Sequence, residues 1–342
     1  MNKLNVTNSS SESEEEAFFY WEESKCFRGS ERFFPKMELD VSSECNTVTI
    51  DLILSDLDAN QWKEAILKAE EAIAKGKYLF WNLDLNLFQE NFFLEHQGQF
   101  ASLQFALLHF YNEIYQKFEN STLGLNIYSG DAWLGSKLKL EDYQEAIENW
   151  KNEAGIKNED FNLNFCLFEL CFHFLEELTK PIRDLIKIFI LLDFSRIESK
   201  SLEARLLNKE RLLNIQIIPE NPKLSYSGLI KEGNLIYEKE GVPSSLGILL
   251  PNLKLKSESS YQEIEKILNE LSDYRVIAEE RLIIEWQGLE ELIISPKTIL
   301  KEGFRMIQGF LAAHGTLITL EVDEKFPQAI FYKYWKKNCQ QS

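Results

Sequence analysis

The sequence predicts an α/β protein in two parts: a barrel-like or open parallel α/β domain, followed by a small second α/β unit. Three observations predict it. β-Branched, alternating segments recur between residues 46 and 220, with helical spacings of a dozen or so residues between them. That succession pairs strands in parallel through crossover helices. A shorter succession of the same kind fills residues 245–321. Hydrophobic residues make up 44% of the 342-residue chain, which suffices for a buried core.

The elements follow in order. Residues 1–16 are polar and acidic and read as a disordered tail. Residues 17–45 are dense in aromatic side chains, among them Phe19, Trp21 and Phe33, and read as a segment packed onto the body. Thr47 to Ser55 alternates as a strand, with Asp56, Asp58 and Asn60 as turn and cap residues. Trp62, Ile66, Ala69 and Ile73 mark a helix that Gly76 ends. Tyr78 to Leu87 is a strand, and Leu103, Leu107, Phe110, Ile114 and Phe118 give a helix over 100–118. Thr122 to Tyr128 is a strand; helices are expected over 140–152 and 163–178. Leu185 to Phe194 is a strand, Ser201 to Leu212 a helix, and Asn214 to Ile218 a strand halted by Pro219. A hairpin from Leu229 to Lys239 completes a domain spanning residues 17–240.

The second unit, residues 245–322, reads β-α-β-β-α-β. Its strands are Leu246 to Leu250, Arg275 to Ala278, Leu289 to Ile294 and Thr316 to Leu320. Helices lie over 261–271 and 298–313. Gly315 is expected to supply the left-handed position that stops the last helix. Residues 323–342 read as a C-terminal extension that docks back onto the body or meets a partner.

The run Leu289-Glu-Glu-Leu-Ile-Ile-Ser-Pro-Lys, a helix, then Phe310-Leu-Ala-Ala-His-Gly-Thr-Leu-Ile-Thr carries a resemblance. It resembles the Rossmann-like, glutamine-amidotransferase-like domain that follows the catalytic barrel in microbial β-galactosidases. His314-Gly315 stands where that pattern has two glycines. The resemblance covers residues 245–321, and it implies that the preceding domain is similar to a glycosidase barrel. Such barrels set an acid and a nucleophilic carboxylate at the carboxyl ends of their strands. The turns at Pro251-Asn252 and Ser295-Pro296-Lys297 hold no cysteine nucleophile. The Rossmann-like unit therefore reads as non-catalytic, suited to packing or to homo-oligomer contacts.

Acids at or just past the expected strands are Asp84, Asp131, Asp193 and Glu220. Asp131 and Asp193 are the expected catalytic pair, with Asp84 positioning substrate. Trp81, Tyr128 and Trp133 are expected as aromatic platforms for a sugar. Strand-end aspartates also cap helices and turns, which is the plainer reading of each. Cys166 and His173 share a helix face without further ligands, so no metal is expected. Neither GxGxxG, GxxxxGK[ST] nor GxSxG occurs, and no cofactor is expected.

A formal charge of −18 repels phosphate backbones and anionic membrane surfaces. A carbohydrate ligand fits that charge; nucleic acid and membrane do not. Five scattered cysteines and no apolar leader or 18-residue apolar span point to the cytoplasm. Two functions compete: a glycoside-hydrolase-like protein, and a non-catalytic interaction or scaffold protein.

Overall fold

The computed structural model describes residues 19–22, 25–38, 45–54, 59–84, 97–128, 148, 152, 172, 175–196, 199–213, 215–224, 226–233, 235–240, 244–251 and 258–339. Helices and strands are mixed throughout, and the strands form three sheets.

The aromatic N-terminal segment is the first sheet. Strands β1 (Phe19–Glu22), β2 (Lys25–Arg28) and β3 (Glu31–Phe33) pair antiparallel in that order. No local periodicity announces these strands, because each is only three or four residues long. Its rings are spent on the barrel: Phe19 and Phe33 meet Tyr78 edge-on, and the Trp21 indole N–H donates to the Leu123 carbonyl at 2.7 Å.

The second sheet is a closed barrel. In chain order it comprises β4 (Lys36–Glu38), β5 (Thr47–Ile53), helix α1 (Ala59–Ala74), β6 (Tyr78–Asp84), helix α2 (Gln97–Phe110) and β7 (Thr122–Tyr128). It continues with β8 (Ile188–Asp193), helix α3 (Lys200–Leu213), β9 (Ile215–Glu220), β10 (Gly228–Glu232) and β11 (Leu235–Lys239). Around the barrel the strands run β10-β11-β4-β5-β6-β7-β8-β9. Neighbours from β4 to β10 are parallel, and β11 is antiparallel to both of its neighbours. The expected helices over 140–152 and 163–178 lie largely outside the described residues. Strand β9 runs through Pro219 to Glu220, beyond the expected halt. At the last position but one, a missing N–H interrupts little of the ladder.

The period of two sorts the barrel's side chains. Ile50, Leu52, Trp81, Leu83, Ile127 and Ile190 face outward and share one continuous core with residues of the surrounding helices. Met37, Phe80, Phe189, Ile218 and Leu229 fill the interior. The Phe80 and Phe189 rings, from strands that are not neighbours, meet edge-on at 5.2 Å. Gly124 permits this filling: a side chain there would lie 2.5 Å from the Phe189 ring and 2.7 Å from the Lys187 carbonyl.

The third sheet holds β12 (Leu246–Leu249), helix α4 (Glu258–Glu270), β13 (Arg275–Ile277), helix α5 (Leu282–Glu285) and β14 (Glu291–Ile294). Helix α6 (Lys301–Ala312), β15 (Thr316–Thr319), β16 (Ile330–Phe331) and helix α7 (Tyr332–Cys339) follow. All five strands are parallel, in the order β13-β12-β14-β15-β16. The stretch after residue 322 is part of this sheet: β16 pairs with β15, and the buried Trp335 donates its indole N–H to Glu291 at 2.9 Å.

Helix α6 ends in a Schellman arrangement. The N–H of His314 reaches the Leu311 carbonyl at 3.1 Å, and that of Gly315 the Phe310 carbonyl at 3.0 Å. The left-handed residue is His314, with φ 68°, and not Gly315 as the sequence suggested. Gly315 is required for a different reason: a Cβ there would sit 2.2 Å from the Phe310 ring. The carboxylate of Glu279 caps the other end of α6, accepting the N–H groups of Leu300 and Gly303 at 3.0 and 3.2 Å.

Candidate functional site

Because β4 to β10 are parallel, their carboxyl ends gather at one end of the barrel, where such barrels carry ligands. The inward positions there change from rings to polar groups. Asp51, Asn82 and Asn126 stand in register on β5, β6 and β7. They form a directed chain of hydrogen bonds. The Leu191 N–H on β8 donates to Asn126 Oδ1 at 3.2 Å, and Asn126 Nδ2 donates to Asn82 Oδ1 at 2.6 Å. Asn82 Nδ2 then donates to Asp51 Oδ1 at 2.6 Å. The two asparagines are buried, whereas Asp51 is exposed. The chain thus runs from the barrel interior to a solvent-facing carboxylate, and each link fixes the orientation of the next amide.

One level further along the strands, Asp84 on β6 stands in register between Ile53 on β5 and Tyr128 on β7. Asp84 is half-buried, and its carbonyl accepts the Leu54 N–H at 2.7 Å. On the next pair of strands, Asp193 stands beside Glu220. The Glu220 carboxylate is ion-paired with Lys231 of β10 at 2.8 Å, both side chains being partly exposed.

The opposite end of the barrel is closed by the first sheet. Arg32 of β3 forms an ion pair with Glu238 of β11 and donates to the Cys26 carbonyl at 2.7 Å. Burial raises the Glu238 carboxyl above its ordinary range in spite of that partner. Burial likewise pushes the Cys26 thiol up to about 12, so this cysteine is a packing group and not a nucleophile.

Of the residues expected from the sequence, the fold brings Asp84 and Tyr128 to adjacent positions and sets Asp193 at the same end of the barrel. Asp131 and Trp133 lie outside the described residues, as do Cys166 and His173. Trp81 is different. Its ring is fully buried on the outer face of the barrel, edge-on to Phe110 at 5.4 Å, with its N–H 3.2 Å from the Thr122 hydroxyl. Trp81 therefore has no exposed face on which a sugar ring stacks. Its odd-numbered neighbours Leu79 and Leu83 share that outward face, and the parity of the strand carries the inward role to Asn82 and Asp84.

Sequence reasoning missed Asp51, Asn82, Asn126 and Lys231. The signal was present: each is a polar residue in an otherwise apolar strand (TVTIDLI, YLFWNLD, TLGLNIY, GLIKE). Among the described residues, no group of three or more His, Cys, Asp or Glu side chains is placed to hold a metal ion. No helix among them is long and apolar enough to cross a membrane. A comparison with models of known protein families and with curated proteins gave no match.

Proposed function

We propose that the carboxyl mouth of the barrel binds a neutral, polyhydroxylated ligand and that the protein is glycoside-hydrolase-like. The observation that carries this reading is the Asp51–Asn82–Asn126 chain, with Asp84, Asp193 and Glu220 at the strand ends beyond it. Oriented amides and carboxylates are the groups that hold sugar hydroxyls. Two carboxyl groups near one glycosidic bond are what its hydrolysis requires. Adjacent parallel strands lie about 4.8 Å apart, which favours Asp193 and Glu220 as a pair close enough for retaining chemistry. The ion pair with Lys231 suits Glu220 to the charge-stabilising role, and Asp131 is the further partner for Asp193. In this reading the parallel C-terminal sheet is a Rossmann-like accessory unit without a reaction of its own.

One observation favours binding without catalysis. Asp51 and Glu220 are already engaged, by Asn82 and by Lys231. A panel of nitrophenyl glycosides, run with wild type and with Asp193→Asn, Glu220→Gln and Asp131→Asn, separates the two. Turnover lost in a folded variant supports hydrolysis. Saturable sugar binding by calorimetry without turnover supports the binding protein. The absence of both turnover and binding overturns the carbohydrate reading.

A further inference from the structure

At the amino end of the barrel a cavity of about 610 Å³ lies between the barrel and the C-terminal sheet. One wall comes from α3 and from the amino ends of β8, β9 and β10, where Lys187, Ile215 and Ser227 stand. The other comes from β13 and α5, through Arg275, Val276, Ile284 and Glu285. The volume is that of a small-molecule site, and clefts between packed units are where such sites concentrate.

Charge sets this cavity apart from the rest of the molecule. In a chain of formal charge −18, the lining carries Lys187, Lys200, Lys223, Arg275 and Arg281 against one carboxylate, Glu285. Arg281 is paired with Glu285 at 2.7 Å. Two more carboxylates, Glu203 and Glu265, stand behind the wall and offset part of this charge. Glu203 is fully buried and accepts the Lys223 and Leu224 N–H groups at 2.9 and 3.3 Å. Glu265 caps α3. Cations collected in a cleft with low-dielectric walls attract anions more strongly than the same cations on an open surface.

The polar atoms of the wall point the same way. Gln216 is 2% exposed, and neither atom of its carboxamide has a hydrogen-bond partner among the described residues. Arg275 spends its two terminal nitrogens on the Glu285 and Gln287 carbonyls, each at 3.0 Å, while its buried Nε has no partner among the described residues. Buried donors and acceptors are nearly always satisfied in native proteins, so a cluster of unsatisfied ones beside a cavity marks the place of a missing partner. Tyr226, Tyr274 and Trp21 add ring surface to the same wall.

We propose that this cavity is a binding site for a small organic phosphate, its phosphoryl group held by the lysines and its organic part set against the aromatic wall. Five cationic side chains against Glu285 in the lining and Glu203 and Glu265 behind it leave a surplus that suits a doubly charged oxyanion. The site is separate from the barrel mouth and stands whether or not the mouth binds sugars.

The test is calorimetric titration of the full-length protein with AMP and glucose 6-phosphate, with adenosine and glucose as uncharged counterparts. The two phosphates differ in their organic part, so their ranking shows whether ring stacking contributes. At least one phosphorylated probe is expected to bind, and more weakly as salt rises. Lys187→Glu and Lys223→Glu are expected to raise its Kd about tenfold or more. Lys63→Glu, on the exposed face of α1, is expected to leave it unchanged. Circular dichroism confirms the fold of each variant. If a charge reversal fails to fold, Lys187→Gln and Gln216→Leu replace it and are expected to weaken the same probe. The proposal is overturned if no phosphorylated probe binds at millimolar concentration. It is also overturned if adenosine or glucose binds equally well, or if Lys63→Glu weakens binding as much as the cavity variants.

Discussion

The Glu265 carboxylate accepts the backbone N–H of Lys200 at 2.8 Å, so a side chain of the C-terminal unit caps a helix of the barrel. Its second oxygen accepts the Ser201 N–H at 3.1 Å and the Ser199 hydroxyl at 2.9 Å. Residues of α4 (Ile264, Ile267, Leu268) belong to the same apolar core as Leu206 and Leu207 of α3. The cap thus lies on a continuous packed seam. Glu265→Ala is expected to lower stability by about 1–2 kcal/mol, the cost of a lost N-cap. Glu265→Gln, which keeps an acceptor, is expected to lose less. Urea unfolding of both variants checks the ordering, and equal losses would mean that one accepting oxygen is not enough and the whole carboxylate is required.

Asn82 is the middle of the mouth's hydrogen-bond chain, giving to Asp51 and receiving from Asn126. Asn82→Ala leaves a buried Asn126 amide without its acceptor. A loss of about 1–3 kcal/mol is expected. Because the two asparagines share one bond, the double variant Asn82→Ala/Asn126→Ala is expected to cost less than the two single losses added together. A double-mutant cycle by denaturant unfolding measures that shortfall.

His314 and Gly315 make opposite predictions at neighbouring positions. His314 holds a left-handed φ of 68° at the end of α6, which costs a residue with a Cβ about 1 kcal/mol. His314→Gly is expected to raise the melting temperature. At Gly315 an added methyl meets the Phe310 ring, and Gly315→Ala is expected to cost about 1–3 kcal/mol. Calorimetric melting of the pair decides whether backbone freedom or ring contact governs this turn.

Glu203 links stability to pH. Burial raises its carboxyl above the ordinary range, outweighing the Leu224 and Lys223 N–H groups that lower it. The folded protein therefore retains a proton that the unfolded chain releases. Stability from this group falls as pH rises from the ordinary glutamate pKa of about 4.3 through the folded value. Glu203→Gln keeps the carbonyl acceptor and removes the charge. It is expected to exceed wild type in stability at neutral pH by on the order of 1 kcal/mol, the gap closing below about pH 4. Melting curves across that range check it.

The elements with strong periodicity were legible in the sequence: β5, α1, β6, β7, β8, α3 and, in the C-terminal unit, β12, α4, β13, β14, α6 and β15 lie within a few residues of their expected places, whereas the four-residue α5 was not expected. The alternation of strand and helix also carried the α/β class. Barrel closure was not legible, because it depends on two- and three-residue pairings such as Met37 with Thr47 and Ile236 with Met37, and no local pattern announces these. The site was legible only in part. Strand-end acids such as Asp84 can be found by position, but a chain like Asp51–Asn82–Asn126 exists only once the register of three strands is set. Trp81 shows the cost of reading proximity in sequence without parity: two residues from Leu83 and three from Asp84, it shares the face of the first.

The reversed strand β11 determines where the chain leaves the barrel. Its last residue, Lys239, pairs with Gly228 at the start of β10, and Tyr237 pairs with Lys36 at the start of β4. A barrel whose last strand ran with the others would release its chain at the carboxyl rim. Here the exit is on the far side, so the C-terminal sheet follows without crowding the carboxyl rim. The direction of one five-residue strand thereby decides at which end of the barrel the C-terminal unit begins.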